Sequence, residues 1–162
     1  MSGPTLEEKR HFLRLAMAEA VRGAMAGQGG PFGAVVVKDG VVIATAANAV
    51  VANNDPTAHA EVQAIRAACA ALRSFQLVGC DVYASCEPCP MCLGAILWAR
   101  PRALYYAATR TDAAACGFDD ALFYREVSAE ASACRIPREH VPCDGMQEPF
   151  VAYAKIPGKV PY

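Results

Sequence analysis

The stretch Ala84–Ala108, ASCEPCPMCLGAILWARPRALYYAA, decides how this chain is read. Pro90 to Ala99 is apolar and opens on a proline, which predicts a helix that Arg100-Pro101 ends. Ala103 to Ala108 predicts an apolar strand, and Leu77 to Ala84, just upstream, predicts another. Between the first strand and the helix stand three cysteines, Cys86, Cys89 and Cys92.

Upstream, PTAHAEVQAIRAACAAL (56–72) predicts a helix from about His59 to Leu72. A polar run, Asn48 to Thr57, precedes it and reads as a loop. Val35-Val36-Val37 and Val41-Val42-Ile43, joined by Asp39-Gly40, predict a β-hairpin with a D-G turn. Thr5-Leu6-Glu7-Glu8 is a capping box, and apolar residues at helical spacing carry that helix to about Met25, where GQGGPFG breaks it. Downstream, Asp112 to Tyr124 reads as a loop with short helices, and Pro149 to Lys155 as a last helix. Strands and helices alternate from the hairpin onward, which predicts helices layered on a central sheet.

The chain has 162 residues, 54% apolar and 19% charged, with a net charge of −1. That suits one domain, residues 1–162, with its own core. The balanced charge, kept in the last stretch from Arg125 to Lys159, gives no electrostatic pull toward nucleic acid or anionic lipid. MSGPTLEEKRHF lacks the apolar core of a signal peptide, and no apolar run approaches the ~18 residues that span a bilayer. The expected location is the cytoplasm, where cysteines stay reduced. Cys69, Cys80, Cys116, Cys134 and Cys143 are scattered and are expected to act as small buried hydrophobes.

Cys89 and Cys92, three apart at a helix start, point the same way, and the helix N-terminus favours their thiolates. His59 adds a nitrogen at the start of another helix. Three such ligands leave the fourth corner of a zinc tetrahedron to water, whose pKa falls to roughly 7 there. Glu61, two residues from the histidine, is placed to carry a proton to and from that water. Other readings exist. CxxC can be a redox pair. Cys86 can join Cys89, Cys92 and His59 in a closed Cys3His site, which would make a zinc-stabilised binding module with no place for water. The Glu87-Pro88 turn argues against this by leading Cys86 away from the helix-borne pair.

His-x-Glu followed by Pro-Cys-x-x-Cys is the pattern of zinc-dependent nucleobase and nucleoside deaminases. DPTAHAEVQAIRAAC and SCEPCPMCLGAILWARP resemble the cytidine-deaminase-like superfamily, and GGPFGAVVVKDG and TDAAACGFDDALFY resemble its bacterial guanine deaminases. The resemblance covers roughly residues 10 to 125. It implies a three-layer α/β/α fold around a mixed five-stranded sheet. It implies conversion of guanine to xanthine and ammonia, with one zinc per subunit on His59, Cys89 and Cys92 and Glu61 as proton shuttle, protonating N3 and then the departing amine. It further implies that Phe32, Asn48, Ala60 and Asp120 meet a small purine base. The resemblance extends to a homodimer whose C-terminal tail, 149–162, covers the neighbouring subunit's pocket and ends on Tyr162, although residues 126 to 162 diverge. Asn48 has a structural alternative as a loop cap, Phe32 as core, and Asp120 as the cap of a helix near Ala121. A guanosine deaminase, a transfer-RNA adenosine deaminase, or an enzyme of cytosine or an aminotriazine would share the zinc motif. The balanced charge and GFDD count against the RNA substrate.

Overall fold

The computed structural model describes residues 3–130 and 134–161. By its contacts the chain divides into two compact units, Met1–Tyr124 and Arg125–Tyr162. The first holds helix α1 (Leu6–Met25), strands β1 (Gly33–Lys38) and β2 (Val41–Ala47), helices α2 (Val50–Asn53) and α3 (Ala60–Leu72), strand β3 (Cys80–Cys86), helix α4 (Pro90–Ala99), strand β4 (Ala103–Ala108) and helix α5 (Arg110–Ala115). Helix α6 (Ala121–Ser128) spans the boundary, and α7 (Glu148–Ala154) lies in the second unit.

Local chemistry starts each element. Thr5 caps α1 through the expected box: its hydroxyl accepts from the Glu8 amide, and its own amide donates to the Glu8 carboxylate at 2.7 Å. Asp39 and Gly40 both have positive φ, 50° and 78°, as a two-residue hairpin turn requires. The sheet order is β2-β1-β3-β4, with β1 antiparallel to both neighbours and β3 parallel to β4. β3 is central and buried along its whole length.

Alternate residues of the strands sort the core into two faces. Ala34, Val36 and Val82 cluster with Ala60, Ala64 and Ala68 of α3 and Ile96 and Ala99 of α4. Val35, Val37 and Tyr83 cluster with Phe12 and Ala16 of α1. The result is the expected α/β/α sandwich. Gly33 lets β1 lie close on α1, because a Cβ there would strike the Ala16 carbonyl and the Ala20 amide.

Several expectations change. Among the described residues the sheet has four strands, not five. The Thr109–Asp112 capping box turns the chain into α5 directly after β4, and the proline-punctuated remainder supplies no further paired strand among the described residues. β3 begins at Cys80, not Leu77, because the Leu77 amide donates to the Ala99 carbonyl and Gly79, at φ 80°, turns the chain only afterwards. The expected loop from Asn48 to Thr57 contains α2, closed by left-handed Asn54. Of the scattered cysteines only Cys80 is buried; Cys69 and Cys134 are half-buried, and Cys116 and Cys143 are exposed, since both lie past the sheet.

The starts of β3 and β4 are tied by one ion pair. Buried Asp81 accepts from Arg102 Nε at 2.9 Å and Nη2 at 2.6 Å. Arg102→Ala would strand that carboxylate. It should lower the unfolding free energy by about 2 kcal/mol, less than for a fully buried pair because the guanidinium is partly solvated. Urea denaturation measures this, and a loss under roughly 0.5 kcal/mol would show the pair to be a surface contact in energetic terms.

Candidate active site

One end of the sheet collects every element the site needs. The register pairs Gly33 with Ala47 and Ala34 with Ala84, so the start of β1, the end of β2 and the end of β3 lie side by side. The chain leaving β2 reaches Asn48 and then α3; the chain leaving β3 reaches Cys89 and α4.

His59 is the N-cap residue of α3 and Cys89 the N-cap residue of α4, yet neither side chain makes a capping hydrogen bond. N-caps are ordinarily Ser, Thr, Asp or Asn, which bond the open amides of the first turn. Here both side chains turn toward each other instead. His59 Nδ1 lies 3.6 Å from Cys89 Sγ and 3.5 Å from Cys92 Sγ. Zinc at usual bond lengths of about 2.3 Å to sulfur and 2.05 Å to nitrogen, in a tetrahedron, sets the N···S separation at about 3.6 Å. The three ligand atoms all lie within 4.8 Å of one another. This donor set fits zinc, and it contributes three ligands, leaving one corner open.

The electrostatics agree with that use. The hydrogen bond from Cys92, and then the His59 ring, bring the Cys89 thiol down to about 4. Cys92 is pushed up, first by that same bond and then by burial, so the pair shares one negative charge until a cation displaces the remaining proton. His59 is raised, chiefly by its contact with Cys89. Glu61, in the first turn of α3, is buried, and burial raises its carboxyl above the usual range. The Cys92 thiol lies 3.4 Å from its Oε2.

Cys86 stands apart from this group. Its thiol donates to the Thr109 carbonyl at 3.4 Å, and burial lifts it to about 11. The closed Cys3His arrangement is therefore not formed. Cys89 and Cys92 are free thiols, not a disulfide.

A pocket of about 260 Å³ is lined by His59, Cys89 and Glu61, and also by Phe32, Asn48, Phe118 and Asp120. Asn48 is buried; its backbone N–H donates to the Phe32 carbonyl, and its side-chain Oδ1 accepts from the Val50 backbone amide at 3.1 Å. The loop-capping task thus takes the oxygen and leaves the Nδ2 hydrogens as donors. Gly29 is needed here, since a Cβ would collide with Asn48 Oδ1. Asp119, not Asp120, caps α6, through a 2.9 Å bond from the Ala121 amide. Asp120 is left to face the pocket, and burial raises its carboxyl. Phe32 meets Phe118 edge to face at 5.0 Å, and Gly30 gives both rings room. Phe118 is a lining residue that the sequence did not single out, though it sits inside GFDD. Ala60, the first residue of α3, is fully buried in the core cluster with Ala34, Val36 and Ile96. Tyr162 lies outside the described residues.

Residues 6–108 match the family model for the cytidine and deoxycytidylate deaminase zinc-binding region. The chain belongs to this family of zinc-dependent hydrolytic deaminases. Its relatives narrow the placement. The guanine deaminase of Bacillus subtilis (strain 168) is 53% identical over 151 residues, covering 93% of this chain and 97% of its own length. The X-ray structure of guanine deaminase from B. subtilis superposes with a TM-score of 0.92 at 52% identity, covering 94% of this chain and 98% of that one. A guanine deaminase structure from Nitrosomonas europaea gives a TM-score of 0.61 at 34% identity over 74% of this chain and 68% of its own. A tRNA-specific adenosine deaminase of Agrobacterium fabrum (strain C58 / ATCC 33970) is 50% identical, but over 103 residues, 64% of this chain and 67% of its own. Within the family the chain therefore stands with the bacterial guanine deaminases.

Cys86→Ser should retain one zinc per chain, whereas Cys92→Ser should lose it. Metal analysis and X-ray absorption on the purified proteins test this, and a third sulfur around the metal, lost with Cys86, would restore the closed site.

Proposed function

We propose that the chain hydrolyses guanine to xanthine and ammonia, with His59, Cys89 and Cys92 holding the zinc. The observation that carries this reading is the meeting of Asn48 and Asp120 in one pocket with His59, Cys89 and Glu61. Bound zinc supplies Lewis acidity that brings the pKa of water down to about 7.

The protein's own groups do the rest. Asp120, ionised, only accepts hydrogen bonds, and guanine offers N1–H and the exocyclic amine as donors. Asn48 Nδ2 donates to the acceptor edge of the base. Phe32 and Phe118 give the flat ring an apolar wall. Ala60 meets the base only through its backbone. Glu61 takes a proton from water as the oxygen bonds to C2. It delivers that proton to N3, then takes the second proton from the hydroxyl now on C2 and passes it to the amine, which leaves as ammonia as the C2–N bond breaks and the C2 carbonyl forms. Burial raises the Glu61 carboxyl above the ordinary carboxylate range, which suits a group that must both accept and donate a proton.

A free base suits a pocket of this size better than an anticodon loop, and the likeness to the guanine deaminase runs about half as far again along the chain as the likeness to the tRNA enzyme. The assembly proposed is a homodimer. Helix α4 is apolar on every side, and Met91, Leu97 and Trp98 are exposed on its outer face. In the second unit Phe150, Val151 and Ile156 are exposed, as suits a tail, 149–162, that covers a neighbouring subunit's pocket. Tyr162 would end that cover. Among the described residues no helix is long and apolar enough to cross a membrane. Eight free cysteines suit a reducing cytoplasm and a place in purine breakdown.

Ammonia release on guanine, guanosine, adenine, cytosine and a tRNA anticodon stem tests the substrate, and preference for the tRNA would end the assignment. Glu61→Gln should keep zinc while kcat falls about 10²–10⁴-fold; turnover near the parent rate would remove Glu61 from the proton path. Asp120→Asn, which puts a donor where guanine needs an acceptor, should cut kcat/KM on guanine roughly 100-fold. An unchanged kcat/KM would show that the base lies elsewhere.

A further inference from the structure

The loop that delivers Cys89 to the metal is gripped from outside by two residues to which the zinc motif assigns no task. Tyr124 Oη donates to the Pro88 carbonyl at 2.9 Å. That carbonyl belongs to the peptide joining Pro88 to Cys89, so its direction sets the plane from which the Cys89 side chain leaves. Cys89 is extended there, at φ −66° and ψ 168°, between the end of β3 and the first turn of α4. The Cys89 thiol meets Cys92 and His59 on the inner side, and the peptide that precedes it is held from the outer side by Tyr124.

Arg110 completes the grip. Its guanidinium lies 4.9 Å over the Tyr124 ring. Its backbone amide donates to Glu87 Oε2 at 3.1 Å, and its Nε lies 3.9 Å from Glu87 Oε1. Glu87 is bound in turn through its amide to the Ala108 carbonyl at 2.9 Å. Glu87 and Pro88, just before Cys89, are therefore held by three separate elements: the end of β4, the start of α5 and the first turn of α6. Burial raises the Tyr124 phenol, which keeps it a donor throughout the range in which thiolates bind metal.

We propose that Tyr124, braced by Arg110, is a positioning residue of the zinc centre, fixing Cys89 through the Pro88 carbonyl. Groups that orient a metal ligand without touching the metal commonly change metal affinity by about 10–100-fold when removed. The hydroxyl does this here by restricting rotation of the Pro88–Cys89 peptide. Asp120 stands just before α6, and its carbonyl accepts from the Tyr124 amide at 3.1 Å. The segment that faces the pocket is thus anchored to the loop that holds the metal. The proposal rests on the zinc assignment and not on which purine is deaminated.

The test compares Tyr124→Phe, which keeps the ring under Arg110, with Tyr153→Phe, which removes a like bond to the Val160 carbonyl in the second unit. Zinc release to an excess chelator should be roughly tenfold faster in Tyr124→Phe and unchanged in Tyr153→Phe. The cobalt-substituted Tyr124→Phe protein should also show a shifted thiolate-to-cobalt absorption band. Arg110→Ala should give the same effects more weakly, and it serves in place of Tyr124→Phe if that variant does not fold. A release rate and cobalt spectrum equal to the parent's would overturn the proposal, even with a lowered melting temperature, because the hydroxyl would then be holding the fold and not the ligand.

Discussion

Two helix starts are brought to one point at the end of the sheet, and the rest of the molecule serves to hold them there. The N-terminus of an α-helix carries partial positive charge, so two of them side by side favour negative charge between them. Cys89 and Cys92 provide it, with His59 at 3.5–3.6 Å from both sulfurs. In using His59 and Cys89 as N-cap residues without capping bonds, the chain forgoes about 1 kcal/mol at each helix. The packing of α3 and α4 on a fully buried β3 offsets that, since helix stability in proteins comes mostly from burial.

Close approach is what turns this point into a pocket, and small residues make the approach possible. Alanines 60, 64 and 68 let α3 sit low on the sheet. Gly33 does the same for β1 against α1. Gly29 and Gly30 clear space for the Asn48 amide and for the two phenyl rings. Adding a single carbon at Gly29 would push aside the Asn48 amide, which lines the pocket.

Neighbouring residues of one type have different tasks because backbone geometry separates them. Asp119 bonds the Ala121 amide and starts α6, while Asp120 faces the pocket. Cys86 ends a strand and bonds Thr109, while Cys89, past a proline turn, joins the metal site. Asn48 does both things at once, accepting the Val50 amide with its oxygen and lining the pocket. Capping a loop and lining a pocket are therefore compatible in one side chain.

The capping box at Thr5, the Asp39-Gly40 turn and the Pro90 helix start are local signals, legible in the residues themselves, so they place α1, the hairpin and α4 closely. The zinc trio and Glu61 are legible for a related reason: ligand spacing near helix starts is itself a short-range geometry. What distance along the chain conceals is different in kind. The four-strand order, the packing of Leu77 on Ala99, the burial of Ala60 and the edge-to-face contact of Phe118 with Phe32 depend on segments that meet only after folding. The sequence by itself determined which atoms could bind a cation and shuttle a proton, because those demands fall on residue type and local spacing. Only the tertiary structure decided which cysteine was left out, which aspartate faced inward and what held Cys89 in place, because those follow from side chains competing for the same space.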